Sequence, residues 1–167
     1  MENYFIGGAD GPTAVFLAGK LGIGWLNIFG LIIIILILIP NIIYAFTKGK
    51  GQKNKCTNTV MNILEQIGRY GSMFFMVVNV GVPEFGFSDL GLFFVYLFGN
   101  PALILLYWVV WVLYFIKPRF REQIALAVIP TAIFLLCGIT LGHILLIVFA
   151  VIFGIAHVYV TTNNRLD

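Results

Sequence analysis

Charge is what this chain has least of. Only 10% of its 167 residues are Asp, Glu, Lys or Arg, against roughly 25% in soluble domains, and that scarcity excludes an ordinary water-soluble globule. The longest polar stretch, Lys48 to Asn58, is too short to bury a core, so no separate soluble domain is expected. Cysteine is scarce as well: Cys56 falls in a basic loop and Cys137 in an apolar run, which predicts two free thiols rather than a disulfide. Serine occurs only at Ser72 and Ser88, neither with an evident His or Asp partner. There is no GxSxG elbow, HExxH or paired-cysteine metal site, and no Walker-type or GxGxxG loop. Nothing therefore nominates an enzyme. The net charge of +3 is small for nucleic-acid binding, and topology accounts for the basic residues. Met1 to Phe5 offer no Lys or Arg for the basic region of a leader, so the whole chain is read as mature protein.

What is abundant is apolar surface: 60% hydrophobic and 16% aromatic residues, with a mean hydropathy of +1.01. Against a span requirement of about 20 residues, apolar runs predict helices at about 24–46, centred on the aliphatic run Leu31 to Ile39, and at 62–82, 89–116, 123–138 and 141–160. The last two form a hairpin turning near Gly138 to His143. The expected fold is an all-α polytopic membrane protein of about five transmembrane helices in one membrane domain, with residues 1–22 as an N-terminal re-entrant or capping segment. The segment 89–116 reads either as one kinked span or as a half-helix followed by a span, because Gly99, Asn100 and Pro101 divide it. Its many aromatic residues suit lipid-facing and interfacial packing better than a cofactor box.

Charge placement tests that count independently. Lys48, Lys50, Lys53, Lys55 and Arg69 lie in or beside the loop 47–61, Lys117, Arg119 and Arg121 in the loop 117–122, and Arg165 in the tail. The positive-inside rule makes these segments cytoplasmic, with the N-terminus outside and the C-terminus inside. Glu2, Asp10, Glu84 and Asp89 then fall outside, and Lys20 is the one basic exception. The expected setting is a multi-pass protein of the cell membrane whose first partner is the lipid bilayer, including anionic lipid near the first basic loop.

Polar and helix-breaking residues inside apolar runs mark candidate sites. Pro40 with Asn41, Asn79 with Gly81 and Pro83, Asn100 with Pro101, and Pro130 with Thr131 each interrupt a span. A proline frees a carbonyl one turn earlier, and in lipid that group needs a protein, water or ion partner. Val60, Ile63, Leu64 and Ile67 recur at helical spacing and predict an interfacial lead-in to the second span, with Asn62, Glu65 and Gln66 facing elsewhere and Glu65 four residues before Arg69. His143 and His157 are the only histidines; on one helix they would be about 21 Å apart, too far to share a metal. Each reads as an interfacial or satisfied histidine, with proton coupling as the sharper alternative.

The most unusual stretch lies near the start. Residues 6–16, IGGADGPTAVF, set a carboxylate, three glycines and a proline in an apolar segment, and an ionised Asp10 near hydrocarbon is costly unless it meets water, a cation or a polar partner. Gly8 and Gly11 permit close backbone approach, and Asp10, backbone carbonyls and the Thr13 hydroxyl supply hard oxygen ligands for Na+ or H+. Alternatively, Asp10 caps a helix beginning at about Pro12.

The run IGGADGPTAVFLAGKLG, residues 6–22, resembles a signature stretch of the β subunit of sodium-translocating decarboxylases. That resemblance covers about a tenth of the chain and implies a broken-helix element in which Asp10 couples to Na+ or proton movement, with Gly7, Gly8, Gly11, Pro12 and Thr13 shaping the loop. The family's β subunit is much longer, residues 23–167 do not align with it, and decarboxylase activity would require other subunits. The expected function is thus a small cation-coupled transporter or ion-translocating subunit, with Asp10, Thr13, Gly8 and Gly11 at the ion site and Asn79, Asn100 and Thr131 as polar wall. The alternative is a non-transporting structural or accessory subunit, oligomeric or joined to other membrane subunits. Na+ is the only bound species implied, and no nucleic acid is expected.

Overall fold

In the computed structural model, residues 26–47, 54–80, 87 and 90–165 are described. They form five helices: α1 (Ile28–Thr47), α2 (Thr59–Val77), α3 (Leu90–Ile116), α4 (Phe120–Thr140) and α5 (Ile144–Asn163). Four of them, α1, α3, α4 and α5, are long and apolar enough to cross a membrane, the make-up of a multi-pass integral membrane protein. The fifth, α2, carries Asn62, Glu65, Gln66 and Arg69. Their outward faces are apolar, with Ile35, Leu105, Val112, Ile139 and Ile155 all exposed, as surfaces solvated by lipid tails require. Segment 90–116 is one unbroken helix that contains Pro101.

The helices close a ring in the order α1, α2, α5, α4, α3 and back to α1, with α2 against α5 the most extensive seam. Along that seam the pairs run antiparallel: Glu65 meets His157, Gly68 meets Phe153, Gly71 meets Phe149, and Phe75 meets His143. At one end the ring is filled by Met76, Ile133, Phe134, Cys137 and Leu146, all fully or nearly buried. The opposite end carries Lys55, Lys117, Arg119, Arg121 and Arg165 and is called the basic end.

Local chemistry explains how the ring closes. At the tight α4–α5 connection Gly142 takes a φ of 64°, a left-handed conformation open to glycine at no steric cost, while His143 N–H returns to the Gly138 carbonyl at 2.8 Å. At the basic end an asparagine clasp joins distant segments. Asn58 caps α2 by accepting the Met61 N–H. Asn164 accepts the Lys55 N–H at 2.6 Å and donates to Asn54 Oδ1 at 2.8 Å, and its carbonyl takes the Gln123 amide of α4 at 3.2 Å.

α1 is attached more sparingly. Near the filled end Asn27 N–H donates to the Val77 carbonyl at 2.7 Å, and farther along α1 leans on α3. Pro40 has no N–H to give the Leu36 carbonyl, and the Trp108 indole Nε1 of α3 donates to that carbonyl instead, at 3.0 Å. Asn41 follows the same logic: its amide donates to Ile37 O at 2.7 Å and to the Tyr107 hydroxyl at 2.7 Å. The freed carbonyl of a proline kink thus finds an interhelical partner, as a low-dielectric setting demands. Trp108→Phe is expected to cost about 1–2 kcal/mol, and the loss should shrink to a few tenths in a Pro40→Ala background, where the backbone N–H regained at that position serves the Leu36 carbonyl. Unfolding in mixed micelles would read both.

Candidate functional site

The expected ion-site residues Asp10, Thr13, Gly8 and Gly11 lie outside the described residues. The expected polar wall falls at three separate places. Asn79 is half-buried just beyond α2, its Oδ1 without a hydrogen-bond partner among the described residues. Asn100 is 1% exposed; its amide donates to Tyr96 O at 2.9 Å, and its Oδ1 accepts from the Cys137 thiol at 3.3 Å. Thr131 donates to Ala127 O at 3.2 Å and presses its methyl toward Gly154 of α5. Asn100 and Thr131 therefore spend their polar atoms on nearby partners in the helix packing.

Ionisable groups converge instead between α2 and α5. Glu65 is only 5% exposed. One of its oxygens, Oε1, takes the Arg69 guanidinium one turn along α2 and lies 2.9 Å from His157 Nδ1 of α5. His157 stacks on Phe153, with ring centroids 4.7 Å apart and planes 16° from parallel, so the ring is held edge-on to the carboxylate. Gly68 makes this geometry available: a Cβ there would sit 2.6 Å from Phe153 N and 2.7 Å from Phe153 Cα, so only the bare backbone lets α2 and α5 approach closely enough for Glu65 to reach His157. A buried carboxylate is tolerated here because two positive or proton-bearing partners face it.

On α2 the aliphatic residues and the buried stripe lie on different faces. Val60, Ile63 and Ile67 are exposed, whereas Glu65, Gly68, Ser72 and Met76 are buried. The cause is the solvent: lipid tails are as apolar as a protein core, so the aliphatic side chains turn outward and the polar stripe turns in toward protein partners. His157 is a satisfied histidine, the bonded partner of a buried acid.

The triad sits in the wall of a cavity of about 870 Å³ at the basic end, to which all five helices contribute: Asn41 and Tyr44 from α1, Glu65 and Arg69 from α2, Trp111 from α3, Gln123 from α4 and His157 from α5. The cavity is a vestibule leading from the basic end to a buried carboxylate. Asn79, Asn100 and Thr131 are not among its lining residues. Among the described residues no group of three or more His, Cys, Asp or Glu side chains could hold a metal ion. The aromatic residues of α3 divide between two roles: Phe94, Phe98 and Trp108 are exposed on the outside, while Trp111 and Tyr114 are buried and pack on Tyr44, with centroids 5.3 and 5.7 Å from it.

The second histidine has a structural task in the α4–α5 connection. His143 is 1% exposed, and its Nδ1 accepts the Leu146 N–H at 3.3 Å, capping α5. An accepting Nδ1 needs a neutral ring, and burial holds the imidazole below its ordinary value of 6.5. As pH falls below that value the unfolded chain takes up the proton first, so stability is complete above it and declines toward the lower folded value. The melting midpoint in detergent should fall on acidification through this window. His143→Asn, which caps without titrating, should remove that part of the slope.

A sequence signal for the triad exists: Glu65, Gly68, Ser72 and Met76 repeat at spacings of three, four and four, a polar and small-residue stripe on one helix face. Compared with protein-family models, curated proteins and solved structures, the chain matches none.

Proposed function

We propose that this chain is a small integral membrane protein that moves a monovalent cation, Na+ or H+, across the bilayer, alone or as the ion-translocating subunit of a larger assembly. The observation that carries this reading is the vestibule lined by all five helices that ends on buried Glu65 and its partners Arg69 and His157. An ionisable cluster inside a ring of apolar helices is expensive to maintain, and in membrane proteins such clusters serve ion or proton pathways. α2 completes the ring as a fifth span: alone it is too polar, but it runs beside α5 for most of its length. With the basic end cytoplasmic under the positive-inside rule, the vestibule faces inward.

The resemblance of residues 6–22 to the β subunit of sodium-translocating decarboxylases supplies the other half. On that likeness Asp10, with Gly8, Gly11 and Thr13, forms the coupling site toward the outer face, and Glu65 receives the ion on the inner side. In proteoliposomes loaded with Na+- or pH-sensitive dye, wild type should show a cation flux that Asp10→Asn and Glu65→Gln each reduce at least tenfold. Flux in both variants equal to that of wild type would remove the proposal.

A second reading, a non-transporting accessory subunit, is favoured by one specific observation. Asn100 and Thr131, polar residues within apolar helices, each donate to a carbonyl one turn back in their own helix and are not among the residues that line the vestibule. On that reading the wild type itself carries no flux.

A further inference from the structure

The vestibule has a chemical bias that cation movement does not explain. We infer that it is a binding site for an anionic phosphate group, carried by a lipid headgroup or by a free phosphate.

Glu65 is the one acidic side chain among the described residues of the wall, which also carries Arg69, Lys55 and His157. Its Oε1 is already shared by Arg69 and His157, which leaves the acid little charge with which to turn an anion away. Arg69 spends one N–H direction on Glu65, and its side chain remains 37% exposed; a guanidinium has five N–H donors in a fixed fork suited to phosphate oxygens. Trp111 adds a second donor. Its ring is 6% exposed, and its Nε1–H has no acceptor among the described residues, a buried unmet donor of the kind that a ligand oxygen would satisfy. The rest of the wall mixes amide side chains, Asn41, Gln123 and Asn164 among them, with Tyr44, Leu126 and Val160, and about 870 Å³ exceeds what a bare ion fills. Amide and guanidinium donors around one space suit a polar anionic head. Basic pockets between membrane helices on the cytoplasmic side take lipid headgroups on this principle.

α1 borders the vestibule and is held differently at its two ends. It is tied to α2 beside Asn27 and Gly30, near the filled end, whereas toward the basic end Tyr44 packs on Trp111, Tyr114 and Phe115 of α3.

The test uses the full chain in neutral detergent and reads its thermal midpoint with added phosphatidylglycerol, phosphatidylcholine or inorganic phosphate. Phosphatidylglycerol should raise the midpoint by about 4 °C; phosphatidylcholine, whose phosphate is offset by its own ammonium, should not. The rise should vanish in Arg69→Gln and in Leu126→Trp, which fills the vestibule and leaves every charge in place; if Arg69→Gln does not fold, Leu126→Trp decides alone. An equal rise with inorganic phosphate that Leu126→Trp also abolishes supports the same site with free phosphate as its source. Equal rises with both lipids, or a phosphatidylglycerol effect that survives Leu126→Trp, would overturn the inference. None of these outcomes depends on whether the chain carries a cation flux.

Discussion

Gly68→Val is expected to leave little or no monodisperse protein after detergent extraction, and Gly68→Ala to lose about 3 kcal/mol or more. The added Cβ meets Phe153 N, Cα and Cβ at 2.6, 2.7 and 2.9 Å. Two of those three atoms belong to backbone, so no rotamer change relieves the overlap. Relief needs α2 and α5 to move apart, and that seam is the most extensive in the ring. Gly99 is the control: its added Cβ would meet the tip of one flexible side chain, Leu136 Cδ2, at 2.9 Å. Alanine is also favoured over glycine in a helix by about 1 kcal/mol, so Gly99→Ala should stay within about 1 kcal/mol of wild type. Size-exclusion profiles and unfolding in mixed micelles distinguish the two; equal tolerance of both substitutions would mean that α2 and α5 do not pack as described.

The second large effect belongs to the acid that this seam encloses. His157→Leu should cost about 3 kcal/mol, because Glu65 stays buried with Arg69 as its remaining ionic partner. Glu65→Leu should cost less: it leaves an imidazole stacked on Phe153 and an Arg69 side chain that is 37% exposed and can be solvated. The double variant removes both ends of the pair and should be more stable than the sum of the single losses predicts, by roughly 2 kcal/mol. Additivity to within about 0.5 kcal/mol would show that the two side chains do not interact across the seam.

Some of this was open to inspection in the amino-acid order and some was not, for identifiable reasons. An apolar run such as Leu31–Ile39 declares a helix because in a bilayer every backbone group must be satisfied within its own segment. Pro40 declares a free carbonyl at Leu36, yet it does not say that Trp108, 72 positions later, will fill it. The spacing of Val60, Ile63 and Ile67 declares an apolar face on α2, but it does not say that Glu65 on another face will be buried against α5. The Glu65–His157 pair spans 92 positions and depends on the rotation and depth of two helices about their own axes, quantities that no single helix encodes. Arg69 and Glu65, one turn apart on α2, were the half of the site that spacing alone reveals. For Asp10 the chemistry of the motif remains the argument, and the flux experiment is its measure.

The bond from Trp108 to the Leu36 carbonyl also bears on how the chain is made. During synthesis α1 enters the membrane before its partner on α3 exists, with 72 residues separating donor from acceptor. At the usual pace of about 5–20 residues per second, the kinked helix waits several seconds with one carbonyl unserved. An aqueous lateral gate or a neighbouring chaperone helix would shelter it in that interval. Moving the proline out of α1 would make early insertion less dependent on such help, so the kink sets a timing requirement on biogenesis as well as a shape.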